Sequence, residues 1–223
     1  MKGQSSLRKP PATPLGAAAS RFGDGRRMRI GLLGGSFNPA HEGHIQLARK
    51  ALSSLKLDQV WLMVSPGNPL KPRKGMAPFS RRLETAQALA DGRRIIATDI
   101  EQKLGQRYTV RTVAMLQQRF PHCRFIWLMG SDGLAQFSRW RAWQRLARLV
   151  PIAVLPRPGS IIPALRGRAS SVLRRYRHDG RAASLLLENK NGPGWAFLSA
   201  PQNDISSTAL RQKGLFRPSV DQE

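Results

Sequence analysis

Short apolar runs alternate with segments of helical periodicity over most of the chain. We expect strands at the following runs: residues 30–33, 60–64, 95–100, 124–129 and 152–155, with shorter candidates at 185–187 and 196–198. Several of these runs are apolar at nearly every position, which is typical of parallel strands buried on both faces. Helical spacing occurs at 45–55, at 78–90 and from Thr109 onward. The alternation predicts a single α/β domain with a doubly wound parallel sheet of about five to seven strands.

The stretch after the first strand carries the clearest chemistry, and it reads Gly34-Gly-Ser-Phe-Asn-Pro-Ala-His-Glu-Gly-His44. Gly34 and Gly35 let backbone N–H groups approach a ligand, because no Cβ stands in the way. A helix is expected to open near His41, and its N-terminus favours an anion such as phosphate. His41 and His44 are three positions apart and would share one face of that helix. Two imidazoles beside a phosphate site are suited to neutralising charge that develops during phosphoryl transfer.

Other interpretations of these residues remain open. A glycine pair after a strand can form only a tight turn, and Asn38-Pro39 is an ordinary turn sequence. The two histidines could also be structural or could bind a metal. The chain has four histidines and one cysteine, and Glu42 is misplaced for an H-E-x-x-H site, so we expect no metal site built from protein ligands.

The net charge is compatible with more than one class of binding partner, and the cysteine content bears on the cellular compartment. The formal charge of +24 suits either anionic nucleotide substrates or nucleic acid. Apolar runs of the roughly 18–20 residues that a membrane span needs do not occur in the sequence. Cys123 is the only cysteine, which excludes an internal disulfide and agrees with the cytoplasmic location that we expect.

The two ends of the chain differ in composition from the middle. Residues 1–27 are rich in Pro, Gly, Ala, Ser and Arg without an apolar period, and we expect a disordered basic leader there. An organellar transit peptide and an over-extended start site remain alternatives for it. The domain is expected to span residues 28–216, followed by a tail at 217–223. The Arg-rich segment 164–181 is expected to be an exposed helix or loop, with nucleic-acid contact as the alternative.

Candidate ligand contacts also lie after the later strands. Lys71 lies in the Pro/Gly-rich loop 65–72, and such loops at strand ends bind ligands in open α/β sheets. Gly130 and Asp132 follow the strand at 124–129 and resemble a ribose grip, although a capped helix start would look the same. We expect Thr109 to be an N-cap.

A second anion site is predicted near the C-terminus. Ser206 and Ser207 are expected to cap a final helix that carries Thr208 and Arg211. The planar guanidinium group of arginine matches phosphate geometry in a way that lysine does not.

Together, the two stretches resemble a known family. GGSFNPAHEGH is similar to the H-x-G-H signature of the nucleotidyltransferase superfamily, and Ile205-Ser-Ser-Thr-Ala-Leu-Arg211 is similar to its second signature, I-S-S-T-x-[IL]-R. Their order and separation look most like bacterial nicotinate-nucleotide adenylyltransferase, and the likeness runs from about residue 28 to about residue 214. The resemblance implies a Rossmann-like fold and adenylyl transfer from ATP to nicotinate mononucleotide, with Mg²⁺ held mainly by substrate phosphates.

This resemblance distributes the candidate residues over two substrates. The catalytic residues would be His41, His44 and Arg211. The residues that contact ATP would be Gly34, Gly35, Ser36, Gly130, Asp132, Ser206, Ser207 and Thr208. The residues that contact the mononucleotide would be Phe37, Asn38, Lys71, Thr109, Trp140 and Arg141. Leu70 stands where the family often has a histidine, and Trp140 and Trp143 could instead be core residues three positions apart.

Three other functions remain to be distinguished. Phosphopantetheine adenylyltransferase and nicotinamide-mononucleotide adenylyltransferase share the H-x-G-H motif, and the sequence does not separate an acid from an amide substrate. A basic nucleic-acid-binding protein on the same fold would bind RNA or DNA in a salt-sensitive way and would not turn over ATP. A homo-oligomer remains open, and a membrane partner is not expected.

Overall fold

The computed structural model describes residues 19–67, 75–188, 193–200 and 207–212, together with residues 205, 214 and 216. These residues form a sheet of seven strands in the order β3-β2-β1-β4-β5-β7-β6, and every pair in it is parallel. The strands are β1 Arg29–Gly35, β2 Gln59–Val64, β3 Ile95–Thr98, β4 Arg124–Gly130, β5 Ile152–Leu155, β6 Arg177–His178 and β7 Trp195–Phe197.

Helices connect the strands and cover the sheet. The α-helices of the described chain are α1 Glu42–Ser54, α2 Phe79–Leu89, α3 Ile100–Lys103, α4 Thr109–Arg119, α5 Ser131–Gln136, α6 Trp143–Leu149, α7 Ile161–Arg166, α8 Arg168–Val172 and α9 Ser207–Gln212. Short 3-10 helices occur at Phe137–Arg139, Arg174–Tyr176 and Gly180–Leu187. Among these residues, no helix combines the length and the apolar character needed to cross a membrane.

The hydrophobic core lies in two layers, one on each face of the sheet. In β1, Leu32 packs into the first layer and Leu33 into the second, since successive side chains of a strand point to opposite faces. α4 contributes Val113 to the first layer, whereas α1 contributes Ala48 to the second. Helices on both faces of one parallel sheet confirm the predicted doubly wound, Rossmann-like α/β fold.

The strand order reverses beside β1, and this reversal positions a cleft. The chain builds β1, β2 and β3 towards one edge and then returns to place β4 on the other side of β1. Open α/β sheets bind ligands outside the carboxyl ends of the strands at such a reversal. Gly34 lies at this end of β1, where an added Cβ would come within 2.5 Å of the Trp127 ring. Glycine therefore lets β1 and the bulky Trp127 of β4 approach each other.

The strand predictions near the C-terminus were only partly right. Residues 196–198 match β7, but residues 185–187 belong to the 3-10 helix Gly180–Leu187, so that strand prediction was wrong. The apolar run is there because Leu186 and Leu187 pack against the second core layer. The Arg-rich segment 164–181 contains helices, as expected, but its end forms the edge strand β6, which its charged sequence did not suggest.

Part of the expected leader packs against the domain. Ala19 is buried, and Arg26 has an exposed fraction of only 4%. The guanidinium group of Arg26 lies over the rings of Trp61 and Phe120 and pairs with Asp24 at 2.6 Å. The expectation of a disordered leader through residue 27 therefore does not hold for residues 19–27, because Arg26 covers core aromatic rings. Residues 1–18 lie outside the described residues.

A buried arginine ties the cleft end of the sheet together. Arg82 of α2 has an exposed fraction of 2%, and its Nη1 donates to the carbonyl oxygens of Ser36 at 2.6 Å and Ser65 at 2.8 Å. Its Nε donates to the carbonyl oxygen of Ala77 at 3.0 Å. One side chain thus joins the turn after β1, the end of β2 and the segment before α2.

Replacing Arg82 should destabilise the fold, because three backbone carbonyl oxygens would lose their donor. We expect Arg82→Met to lower the free energy of unfolding by about 2–5 kcal/mol. Arg111→Met, at an exposed position of α4, is the matched control and should change the free energy by less than about 0.5 kcal/mol. Urea denaturation followed by circular dichroism measures both variants, and equal effects would contradict the role given to Arg82.

Candidate active site

The cleft at the carboxyl ends of the strands contains two pockets. The first, which we call the β1–β4 pocket, is a cavity of about 330 Å³, a size within the range of small-ligand sites. Its lining includes Gly34, Gly35, Ser36, Glu101, Arg107, Tyr108, Thr109, Trp127, Asp132, Arg139, Trp140 and Arg141. The second, the α1–β5 pocket, is lined by His41, Gly43, Gln46, Leu47, Arg49, Lys50, Ser53, Pro156, Arg157, Ala200 and Ile205.

An ion pair links the two pockets. Arg157, after β5, lines the α1–β5 pocket, and its Nε lies 3.5 Å from Oδ1 of Asp132, which lines the β1–β4 pocket. Gly130 makes this approach possible, because an added Cβ there would lie 2.3 Å from Oδ1 of Asp132 and 2.7 Å from Nε of Arg157. Gly130 and Asp132, predicted as ATP contacts, therefore lie at the junction of the two pockets.

The two histidines of the first motif are neighbours at the start of α1. His41 is the N-cap with extended backbone, and its N–H donates to Nδ1 of His44 at 3.2 Å. The ring centroids of the two histidines are 3.9 Å apart. Because Nδ1 of His44 accepts a hydrogen bond, the neutral ring carries its proton on Nε2. The two rings are therefore adjacent, as predicted, but His41 precedes the helix as its N-cap and does not lie on a helix face.

His41 is buried, and its ring nitrogens lack hydrogen-bond partners within the part of the chain that the structure describes. Its exposed fraction is 5%, and among the described residues neither Nδ1 nor Nε2 has a hydrogen-bond partner. Burial, together with the positive charge of Arg157, lowers the pKa of His41 from 6.5 to about 4. The ring is thus neutral near pH 7 and retains one N–H donor for a ligand. Unsatisfied buried polar groups are rare in folded proteins and often mark a site of function.

The second motif docks onto the first across most of the sequence. The hydroxyl of Ser207 donates to the carbonyl oxygen of Pro39 at 2.9 Å, over a separation of 168 positions. Nη1 of Arg211 donates to the carbonyl oxygen of Asn38, and its Nη2 donates to Oγ1 of Thr208 at 3.2 Å. α9 therefore lies against the turn between β1 and α1, as the pairing of the two motifs predicted. Part of the Arg211 guanidinium group is engaged with the protein backbone.

Two residues predicted to contact the mononucleotide, Phe37 and Asn38, have structural contacts. The side-chain amide of Asn38 donates to the carbonyl oxygen of Gly75 at 2.9 Å and accepts from the N–H of Ala77 at 3.0 Å. Both ends of this amide are therefore occupied. Phe37 has an exposed fraction of 1%, and its ring packs 4.8 Å from that of His44. Neither residue lines the two pockets.

Three further residues predicted to contact the mononucleotide lie in the cleft. Thr109, Trp140 and Arg141 line the β1–β4 pocket. Thr109 is the first residue of α4 rather than its N-cap, which is Tyr108. Lys71 and Ser206 lie outside the described residues.

Two pocket residues were missed by the sequence reasoning. Arg157 lies in the segment 156–159 after β5, and it was not among the residues predicted to bind a ligand. Glu101 lies on α3, directly after the strand predicted at 95–100. A carboxylate after that strand was the available signal for Glu101, and it becomes informative only because β3 ends at Thr98 and α3 begins at Ile100.

The comparisons with known proteins agree with the geometry. A protein of Gluconobacter oxydans is 70% identical over 196 residues, which cover 88% of this chain and all of that protein. A protein of Parvibaculum lavamentivorans is 49% identical over 187 residues, which cover 84% of this chain and 92% of that protein. Both bear the name "Probable nicotinate-nucleotide adenylyltransferase".

A solved structure shares the fold at low sequence identity. It is the Plasmodium falciparum nicotinic acid mononucleotide adenylyltransferase complexed with NaAD, which covers 82% of each chain with a TM-score of 0.61 and 16% identity. The family model described as cytidylyltransferase-like matches residues 32–213, a range that contains both motifs and both pockets. The chain therefore belongs to the cytidylyltransferase-like family and, within it, to the nicotinate-nucleotide adenylyltransferases.

Proposed function

We propose that this protein transfers the adenylyl group of ATP to nicotinate mononucleotide, giving nicotinate adenine dinucleotide and pyrophosphate, a step of NAD biosynthesis. The observation that carries the proposal is the contact between the two motifs: Ser207 and Arg211 bond to the backbone at Pro39 and Asn38, beside the histidine pair. This contact gathers imidazole, guanidinium and hydroxyl groups at the strand ends where nucleotides bind. The names of the close relatives support the same reaction.

The chemistry requires alignment and charge neutralisation rather than a base. The 5′-phosphate of a mononucleotide is already anionic near neutral pH, and it attacks the α-phosphorus of ATP while pyrophosphate leaves. In this proposal the N–H donors of His41, His44 and Arg211 bind the ATP phosphates and stabilise their developing charge. Backbone N–H groups of Gly34, Gly35 and Ser36 would approach the phosphates closely, and Ser207 and Thr208 would hold the leaving group.

Mg²⁺ is proposed to enter with ATP. The described residues contain no group of three His, Cys, Asp or Glu side chains placed to hold a metal ion. Mg²⁺ commonly keeps its waters and binds phosphate oxygens, and Asp132 at the junction of the pockets is a carboxylate that one such water could reach. When bound, the ion neutralises phosphate charge. We also propose a cytoplasmic location, supported by Cys123 as a free thiol.

The β1–β4 pocket supports an acid rather than an amide as the pyridine substituent. Arg107, Arg139 and Arg141 line this pocket, and Arg141 lies with its guanidinium carbon 5.9 Å from the Tyr108 ring centroid. Trp140, at the same wall, can stack on a pyridine ring. The three arginines are exposed, and guanidinium groups favour a carboxylate over a neutral amide because they form charge-assisted, bidentate hydrogen bonds with it.

A substrate comparison tests the proposed function directly. Pyrophosphate release with ATP and Mg²⁺ should be fastest with nicotinate mononucleotide, and at least about tenfold slower with the amide, because the amide loses a charge-assisted hydrogen bond. Phosphopantetheine should give no turnover. Faster turnover with the amide or with phosphopantetheine would contradict the assigned substrate, and absence of turnover with all three would contradict the proposed activity.

Removal of His44 tests its role at the phosphates. We expect His44→Ala to reduce kcat on the order of 10²–10³-fold, because one preorganised donor is lost. His44→Asn retains an acceptor near the position of Nδ1 but lacks the distant N–H, so it should fold normally and be equally slow. His122→Ala, at an exposed position after α4, is the matched control and should retain full activity. Undiminished turnover of His44→Asn would refute the assignment.

The lowered pKa of His41 leads to a pH-dependent stability. As the pH falls below 6.5 the unfolded chain takes up a proton at this residue, whereas the folded protein does so only near pH 4. The free energy of unfolding should therefore decrease between pH 6.5 and pH 4, and His41→Asn should show a smaller decrease. Urea denaturation of both proteins at about pH 5 and about pH 7.5 measures the difference.

A bound polyphosphate should weaken this pH dependence. Its negative charge beside the ring raises the pKa of His41 and favours the protonated form. At pH 5, a non-hydrolysable ATP analogue with Mg²⁺ should therefore raise the free energy of unfolding of the wild type more than that of His41→Asn. The same urea denaturation, repeated with the analogue, measures this. If the analogue leaves the difference in pH dependence between the two proteins unchanged, His41 does not face the phosphates.

A further inference from the structure

We propose that Glu101 binds a ribose hydroxyl of the acceptor mononucleotide and so makes the enzyme selective for a ribonucleotide, an inference that rests on the proposed function. Glu101 was not among the residues predicted from the sequence. Its place in the β1–β4 pocket and its unsatisfied hydrogen-bonding capacity carry the argument.

Glu101 is a buried acid in the wall of the pocket. It lies on α3, between β3 and α4, and has an exposed fraction of 7%. The same pocket is lined by Ser36 from the turn after β1, by Thr109 and by Trp140. A mononucleotide that places its phosphate at the glycine turn and its ring at Trp140 would hold its sugar within this lining, of which Glu101 is a part.

The carboxyl group of Glu101 uses little of its hydrogen-bonding capacity. A carboxylate can accept about four hydrogen bonds, and within the described chain its partner is the hydroxyl of Thr112, which donates to Oε1 at 3.2 Å. That hydroxyl is also 3.5 Å from the carbonyl oxygen of Tyr108, so even this donor is shared. Burial raises the pKa of Glu101 to about 7, and the hydrogen bond from Thr112 offsets this effect only in part.

The other charged side chains of the pocket are either paired with a protein group or are hydrogen-bond donors. Asp132 pairs with Arg157 at the junction of the pockets. Arg107, Arg139 and Arg141 line the pocket as hydrogen-bond donors, which recognise anions and offer nothing to a hydroxyl that donates. Among these charged side chains, Glu101 is the acceptor left for a sugar hydroxyl, and a carboxylate is a common partner of ribose in nucleotide-binding folds.

A purely structural role explains the geometry less well. A carboxylate kept only for the fold is normally satisfied by several backbone N–H groups or by a cation, because burial of an unsatisfied charge is costly. Asp91 illustrates the satisfied case, since its Oδ1 accepts from the N–H groups of Arg93, Arg94 and Ile95. Glu101 has no comparable set among the described residues.

Deoxy analogues of the substrate test the contact itself. We would measure kcat/KM with nicotinate mononucleotide and with its 2′-deoxy and 3′-deoxy forms, for the wild-type enzyme, Glu101→Ala and Glu101→Gln. The wild type should lose about 10–100-fold on one deoxy analogue, the range for a hydrogen bond to a charged group. Glu101→Ala should lose a similar factor on the ribonucleotide and should no longer distinguish it from that analogue, while its KM for ATP stays unchanged.

Two further variants separate contact from structure. Glu101→Gln keeps a hydrogen-bond acceptor without the charge, so it should retain part of the discrimination between the ribonucleotide and the deoxy analogue. This variant still tests the contact if Glu101→Ala fails to fold. Thr112→Val removes the hydroxyl that bonds to Glu101 and should leave the discrimination in place, since the contact to the sugar does not pass through Thr112.

The outcomes are distinct for the inference and for the proposed function. If Glu101→Ala and Glu101→Gln turn over nicotinate mononucleotide and discriminate against both deoxy analogues as strongly as the wild type, the inference is overturned and the proposed function stands. If the wild type does not turn over nicotinate mononucleotide, the proposed function is overturned and this inference falls with it.

Discussion

The active-site end of this protein depends on one buried guanidinium group. Arg82 donates to the backbone at Ser36, Ser65 and Ala77, and thereby fixes the turn after β1 relative to β2 and α2. The side-chain amide of Asn38 makes a second connection to residues 75–77. A turn held in this way presents its N–H groups without reorganisation, and preorganised donors are what charge stabilisation in catalysis requires.

The cleft concentrates polar groups that the fold itself does not satisfy. The ring nitrogens of His41 have no partner among the described residues, and Glu101 has a single shared one. Each arrangement costs stability in the free protein, because buried polar groups lose their hydration. Burial and, to a smaller extent, the charge of Arg157 lower the pKa of His41 and keep its ring neutral. The α1–β5 pocket contains the ring of His41, whereas the β1–β4 pocket combines the glycine turn and several arginines with the carboxyl group of Glu101.

The sequence-based predictions were more accurate for contacts between residues close in sequence than for contacts between residues distant in sequence. The glycine turn and the pairing of His41 with His44 were predictable, because each follows from spacing within one strand–turn–helix unit. Asn38 was predicted as a ligand contact, and its structural partners at Gly75 and Ala77 could not be foreseen because they lie in a loop far along the chain. The apolar run at 185–187 fits a strand or a short helix equally well, and core packing selected the helix.

The sequence by itself determined the alternation of strands and helices, the two signature segments and the residue types of the phosphate site. These follow from local periodicity and from the chemistry of glycine, histidine and arginine. Only the tertiary structure decided that Arg157 and Asp132 join two pockets and that Glu101 faces one of them. The physical reason is that the strand reversal beside β1 brings together the ends of strands that are distant in sequence, and burial then sets the charge and the free hydrogen-bonding capacity of each side chain.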